Sequence, residues 1–160
     1  GAGARFAIYL PVHRGSAGED RRAEPDEPAR AWSSGGRVLL VEDEDMVRAV
    51  AERALVRAGF TVTAQPDGED GLAEIANGGV FDLVVSDVVM PGKDGPTLIR
   101  EAKDLLGHAR VIFISGYAER DIAKQLDDDR AVSFLPKPFT VRQLAERVKQ
   151  ELGSPKKEAA

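Results

Sequence analysis

Between Arg37 and Gly153, short continuous apolar runs alternate with stretches in which apolar residues return every three or four positions. The runs predict strands buried on both faces, and the wider spacing predicts helices with one inward stripe. RVLLV (37–41) reads as a first strand. DEDMVRAVAERALVRAG reads as a helix with Met46, Val47, Val50, Ala54, Leu55 and Ala58 inward, stopped by Gly59. FTVTA (60–64) is a second strand, and GEDGLAEIAN is a weaker helix on Leu72 and Ile75 that ends at Gly78 and Gly79. FDLVVS (81–86) is a third strand, followed by a helix over 97–106 with Leu98, Ile99, Ala102 and Leu105 inward. RVIFIS (110–115), a helix near 118–127 on Ile122 and Leu126, and AVSFL (131–135) come next. A last helix runs from Thr140, its cap, to about Leu152, with Val141, Leu144, Ala145 and Val148 inward.

Five strands alternating with five helices predict an α/β fold, a doubly wound five-stranded parallel sheet with helices on both faces and right-handed crossovers. The pattern is different ahead of this unit. ARFAIYLPV alternates Phe6, Ile8 and Leu10 with Ala7 and Tyr9 before Pro11, which predicts a strand without a partner of its own. Residues 13–36 mix charge, proline, glycine and small polar side chains, the composition of a flexible linker. Trp32 is the one feature there that favours an irregular segment packed on the domain. The expected organisation is therefore a strand within 1–12, a linker over 13–36, a domain over 37–153 and a disordered tail over 154–160.

Composition narrows the chemistry. The 160 residues, 42% of them hydrophobic, suit one compact domain with tails. Cysteine is absent, which removes disulfides, thiolate ligands and cysteine nucleophiles, and only His13 and His108 supply imidazole. A net charge of -5 with no basic stripe argues against direct nucleic-acid binding. No apolar run approaches the roughly 20 residues that cross a bilayer, and no secretion signal is evident, so a cytoplasmic location is expected.

In an open parallel sheet, ligands collect beyond the carboxyl ends of the strands. That rule selects Glu42 and Asp43 after the first strand, Asp87 after the third, Ser115 at the end of the fourth and Lys137 past the fifth. Three carboxylates in one pocket repel one another unless a cation sits among them. Magnesium suits such oxygen donors, with Asp43 and Asp87 as direct ligands, Glu42 acting through water and the backbone carbonyl of Val89 completing the set. The bland alternative for Glu42 and Asp43 is helix capping, and Asp45 reads as a cap or first-turn acid. Lys137, between Leu135–Pro136 and Pro138, presents a point charge toward the acids, and the isomer of the Lys137–Pro138 bond stays open. Ser115 offers a small hydroxyl to an anionic oxygen or caps the next helix. Phe134 is a movable aromatic or ordinary core. A strand-end carboxylate beside a divalent cation can attack phosphorus, which gives Asp87 the role of nucleophile.

The segments VEDE, SDVVMPGKDG, FISGYAE and FLPKPF resemble the CheY-like receiver domains of two-component response regulators, from about Arg37 to about Gly153. The resemblance implies the strand order 2-1-3-4-5 of flavodoxin-like folds. It implies Asp87 as phosphoacceptor, Glu42 and Asp43 as the acidic metal pair, Val89 as the carbonyl donor to magnesium, Ser115 and Lys137 as catalytic partners, and Ser115 with Phe134 as the switch. More narrowly, VSDVVMPGKDGPTL, ISGYAE and FLPKPF are similar to the C-terminal receiver of hybrid sensor histidine kinases of the alphaproteobacterial cell-cycle type. GAGARFAIYLPV resembles the glycine box and final strand of a kinase ATP-binding domain, of which 1–12 would be the remnant. The implied function is to take phosphoryl from a phosphohistidine onto Asp87 and exchange it with a histidine phosphotransfer protein.

On the same resemblance, a parent kinase would have its anchor in the inner membrane left open, the receiver would catalyse its own magnesium-dependent phosphorylation, and a weak dimer would form through the fourth helix, fifth strand and fifth helix. Phe134 stands where a tyrosine is more usual, and Val89 offers no polar group to a hydrolytic water. Two rival readings remain: a receiver-like docking module without phosphorylation, and a haloacid-dehalogenase-like phosphohydrolase. The second is disfavoured because Val88 and Val89, rather than an acid, follow Asp87.

Overall fold

A computed structural model describes residues 35–116, 122 and 131–153. The elements run β1 (Arg37–Val41), α1 (Asp45–Arg57), β2 (Thr61–Gln65), α2 (Gly68–Ala76), β3 (Leu83–Asp87), α3 (Gly95–Glu101), β4 (Arg110–Ser115), β5 (Val132–Pro136) and α4 (Val141–Gly153). The strands form a parallel sheet in the order β2-β1-β3-β4-β5. β3 lies at its centre and pairs with β1, with Val38 opposite Leu83 and Val41 opposite Ser86.

Side-chain alternation along these strands splits the core into two layers. Leu39, Val41, Val84, Val111 and Phe113 face α2 and α3, where Ile75, Leu98 and Ile99 meet them. Val38, Leu40, Leu83, Val85, Ile112, Ile114 and Leu135 face α1 and α4, against Ala51, Leu55, Leu144 and Val148. All four described residues of β1 after Arg37 are fully buried, as a continuous apolar run requires when both faces are covered.

Local chemistry sets the element ends. Asp67 caps α2 by accepting from the amides of Glu69 and Asp70, and Asp94 caps α3 by accepting from Thr97 N, with Pro96 in its first turn. Thr140 and Gln143 bond reciprocally at the start of α4: Gln143 N donates to Thr140 Oγ1 at 3.2 Å and Thr140 N to Gln143 Oε1 at 2.8 Å. Gly59, Gly78 and Gly107 adopt positive φ at the turns that end helical stretches.

Several expectations need correction. β3 begins at Leu83, not Phe81, and extends to include Asp87. Met46, Val50 and Val141 are exposed instead of inward, because the inner stripe of α1 is carried by Ala51 and Leu55 and that of α4 by Leu144 and Val148. Leu105 is also exposed while Leu106 is buried: α3 ends at Glu101, and the turns that follow break the helical phase that would have carried Leu105 inward. Of the helix expected over 118–127, only Ile122 is among the described residues, and it is buried in the layer with Leu98 and Phe113. Tyr117, Leu126, residues 1–34 and the tail over 154–160 lie outside them.

Candidate functional site

The acidic residues reach one place because of strand parity. Glu42 continues the alternation of Val38 and Leu40, Asp87 that of Leu83 and Val85, and Lys137 that of Leu135, so all three leave the sheet on the side of α1 and α4. The ladder persists past the strand ends to hold them there, with Glu42 N donating to Gln65 O at 3.2 Å and Lys137 N to Ser115 O at 2.9 Å.

Carboxylate oxygens of Glu42, Asp43 and Asp87 lie within 4.8 Å of one another. Glu42 is 1% exposed and Asp87 6% exposed, whereas Asp43 opens to solvent. Lys137 Nζ donates to Asp87 Oδ2 at 2.5 Å, and Val89 N donates to Asp87 Oδ1 at 3.2 Å, so both oxygens of that carboxylate have partners that orient it. The backbone of Asp87 is fixed as well. Its carbonyl accepts from Ser86 Oγ at 2.9 Å, and an added Cβ on Gly95 would come within 2.3 Å of that carbonyl oxygen.

Electrostatics follow from burial among like charges. Desolvation, reinforced by the charges of Asp87 and Asp43, raises the Glu42 carboxyl above its ordinary 4.5, against the opposing pull of the Glu44 amide and Lys137. For Lys137, burial alone pulls the ammonium down. The hydrogen bond from Asp87 and the charges of Asp87, Glu42 and Asp43 together outweigh it and hold the group above 10.5. Glu42 Oε1 accepts from Glu44 N at 3.1 Å, but its Oε2 is buried without a hydrogen-bond partner. An orphaned carboxylate oxygen among three acids is a donor in want of a cation, and the all-oxygen set fits a hard divalent ion.

The expected residues fall in different surroundings. Glu42, Asp43, Asp87 and Lys137 come together. Val89 is adjacent through its amide, with its side chain exposed. Ser115 ends β4 beside Asp87's strand, is buried, and sits opposite Pro136. Phe134 is half-buried with its ring 6.0 Å from that of Phe113, on the sheet face toward α2 and α3.

Arg48 was not singled out from the sequence. Its guanidinium donates to the carbonyls of Glu42 at 2.8 Å and Asp43 at 3.4 Å and pairs with Asp45, which clamps the loop that carries the acids. Its position one helical turn past Asp45 was the available signal. Beside the acids, Met46, Val47, Val50, Pro138, Phe139 and Val141 line a groove of about 620 Å³ that Lys137 borders.

A family model described as the response regulator receiver domain matches residues 38–149. This chain belongs to that family. It is 44% identical, over 95% of its length, to the sensor kinase CckA of Brucella abortus, of which it spans 17%. It is 32% identical to the response regulator receiver protein CpdR of the same organism, over 72% of this chain and 96% of that protein. Among solved structures, the receiver domain of the hybrid histidine kinase CckA superposes with a TM-score of 0.62 at 50% identity, covering 73% of this chain and 99% of that one. The protein is therefore a receiver of two-component phosphorelay signalling, with the sheet order expected of the family. No helix among the described residues is long and apolar enough to cross a membrane.

Proposed function

We propose that this receiver takes a phosphoryl group from a phosphohistidine onto Asp87 and exchanges it with a histidine phosphotransfer protein, as part of a hybrid sensor histidine kinase. The observation that carries this reading is the convergence of Asp87, Asp43, Glu42 and Lys137 on one sheet edge, with the Asp87 carboxylate held from both oxygens. The similarity to CckA over nearly the whole chain supports the parent kinase.

In the transfer, an Asp87 oxygen forms the new bond to phosphorus as the bond from phosphorus to the imidazole nitrogen breaks, and the imidazole leaves with the electron pair. Asp43, Asp87, the Val89 carbonyl and Glu42 would hold a magnesium ion, which would supply charge neutralisation at the phosphoryl oxygens. Lys137 already pairs with Asp87 and is placed to follow the negative charge onto those oxygens. Ser115, at the end of the neighbouring strand, answers the added charge with its hydroxyl, and Phe134 turns with it as the switch. Phosphorylation adds roughly -1.5 to -2 charges. The exposed apolar groove along α1 supports a protein as phosphodonor, since a small donor needs no such surface.

The direct test mixes the domain with a radiolabelled phosphohistidine protein and magnesium. Label moves from histidine to the wild-type receiver and not to Asp87→Asn. Retention of all label on the donor, or equal labelling of the variant, would remove the relay function.

A further inference from the structure

α2 carries two glycines, Gly68 and Gly71, three positions apart and therefore on one face. Glycine weakens a helix relative to alanine, and neither residue has the positive φ that would call for it. Space is the reason instead. A Cβ built on Gly71 would stand 3.0 Å from Val41 Cγ2 and 3.4 Å from Leu98 Cδ2. One built on Gly68 would overlap the carbonyl oxygen of Lys93 and stand 3.1 Å from both its carbonyl carbon and its Cβ. The first contact seats α2 on the core, against β1 and α3. The second brings the first turn of the helix onto the backbone of the loop between β3 and α3.

That loop, residues 88–94, starts at the residue after Asp87. Its Val89 amide donates to Asp87 Oδ1 at 3.2 Å, so the place of the loop decides how the carboxylate is turned. Val88 N donates to Ile114 O at 3.0 Å, and Gly95 N closes the loop by donating to Val88 O at 3.1 Å. Met90 is buried in the layer that holds Leu98. Pro91 and Gly92 are exposed, and the chain next meets the body of the domain where Lys93 rests on Gly68. The Lys93 side chain is only 17% exposed, and its ammonium pairs with Glu101 of α3. With its Cβ over Gly68 and its charge tied to Glu101, Lys93 holds the loop between two helices.

We propose that Gly68 is a positioning residue for the phosphoacceptor site. By letting α2 touch the Lys93 backbone it sets the height of the 88–94 loop, and with it the Val89 amide and carbonyl beside Asp87. The Lys93–Glu101 pair is the clasp that keeps the loop there. This inference deepens the phosphoacceptor reading of Asp87 and rests on it, but its test reads metal binding and one amide, neither of which needs phosphoryl transfer. Failure of Asp87 to accept a phosphoryl group therefore leaves these measurements standing, and the reverse holds too.

Magnesium is titrated into the isotopically labelled chain, and nuclear magnetic resonance reads the dissociation constant and the metal-free resonance of the Val89 amide. Gly68→Ala is expected to weaken magnesium about tenfold, and to move that resonance, because the added methyl must push the Lys93 carbonyl away. Ile75→Val, on the buried face of the same helix but away from the loop, lowers the melting temperature and leaves both readings as in the wild type. Glu101→Gln opens the clasp on an exposed side chain, and it changes both readings in the same direction by less. A Gly68→Ala protein with native circular dichroism, wild-type magnesium affinity and an unmoved Val89 amide would overturn the proposal. So would equal changes in Ile75→Val, which would make the effect one of stability alone. A Glu101→Gln protein that matches the wild type in both readings would overturn it as well, and it decides the matter where Gly68→Ala does not fold.

Discussion

At the residue scale, Glu42 and Asp43 are held in place at a cost to the folded state. Two acids beside Asp87, one of them wholly buried, repel when no cation is bound. Asp43→Asn is therefore expected to raise the melting temperature of the metal-free protein by a few degrees. The same change should abolish the magnesium-dependent change in tryptophan-independent signals such as amide chemical shifts, and calorimetry with nuclear magnetic resonance checks both. The Glu42 shift adds a pH dependence of definite sign. Its folded carboxyl holds a proton more tightly than the unfolded one, near 4.5, so its contribution to stability is greatest below that value and is lost as pH rises through the raised folded value. Glu42→Gln removes this slope, and melting temperatures of the metal-free proteins across that range test it. Arg48 acts through the carbonyls of the acidic loop, so Arg48→Ala should weaken magnesium binding about tenfold with the fold intact. Arg48→Lys should restore part of the loss. These residue roles were legible where a strand's apolar run ends on an acid. Arg48 and Ser86 were not, because their work is done on backbone carbonyls, which carry no sequence signal of their own.

At the scale of elements, the start of α3 is pressed against the end of β3. Gly95 has no room for a side chain beside the Asp87 carbonyl and Ser86 Oγ, so Gly95→Ala must displace one of them. The expected destabilisation is about 1–3 kcal/mol, as for other overpacked sites, with slower phosphoryl uptake because either displacement disturbs the backbone that holds Asp87, the proposed phosphoacceptor. Chemical denaturation and uptake kinetics check the two parts. Strands were the easiest elements to read, since continuous runs such as LLV and LVV admit only two-sided burial. Helix faces were harder. Met46, Val50 and Val141 repeat at helical spacing as faithfully as any core residue, yet they form the exposed wall beside Lys137. Periodicity reports an apolar stripe and not what covers it. Leu105 was misplaced for a different reason: α3 ends four residues earlier, at Glu101, in turns that no proline or glycine announces before Gly107.

At the scale of the molecule, the topology gathers residues distant in sequence onto one end of the sheet because the central β3 has β1 on one side and β4, followed by β5, on the other. Asp87 and Lys137, fifty positions apart, meet at 2.5 Å for that reason. The order of strands came only with the family resemblance, since alternation of strands and helices is compatible with several doubly wound arrangements. The most direct measurement of the central claim is chemical mapping of the phosphoryl group. The domain is incubated with magnesium and phosphoramidate, treated with borohydride to reduce any acyl phosphate to the alcohol, and digested for mass spectrometry. The account predicts homoserine in place of Asp87, formed only with magnesium and absent from Asp87→Ala. An unaltered Asp87 peptide, or reduction at a different carboxylate, would contradict it.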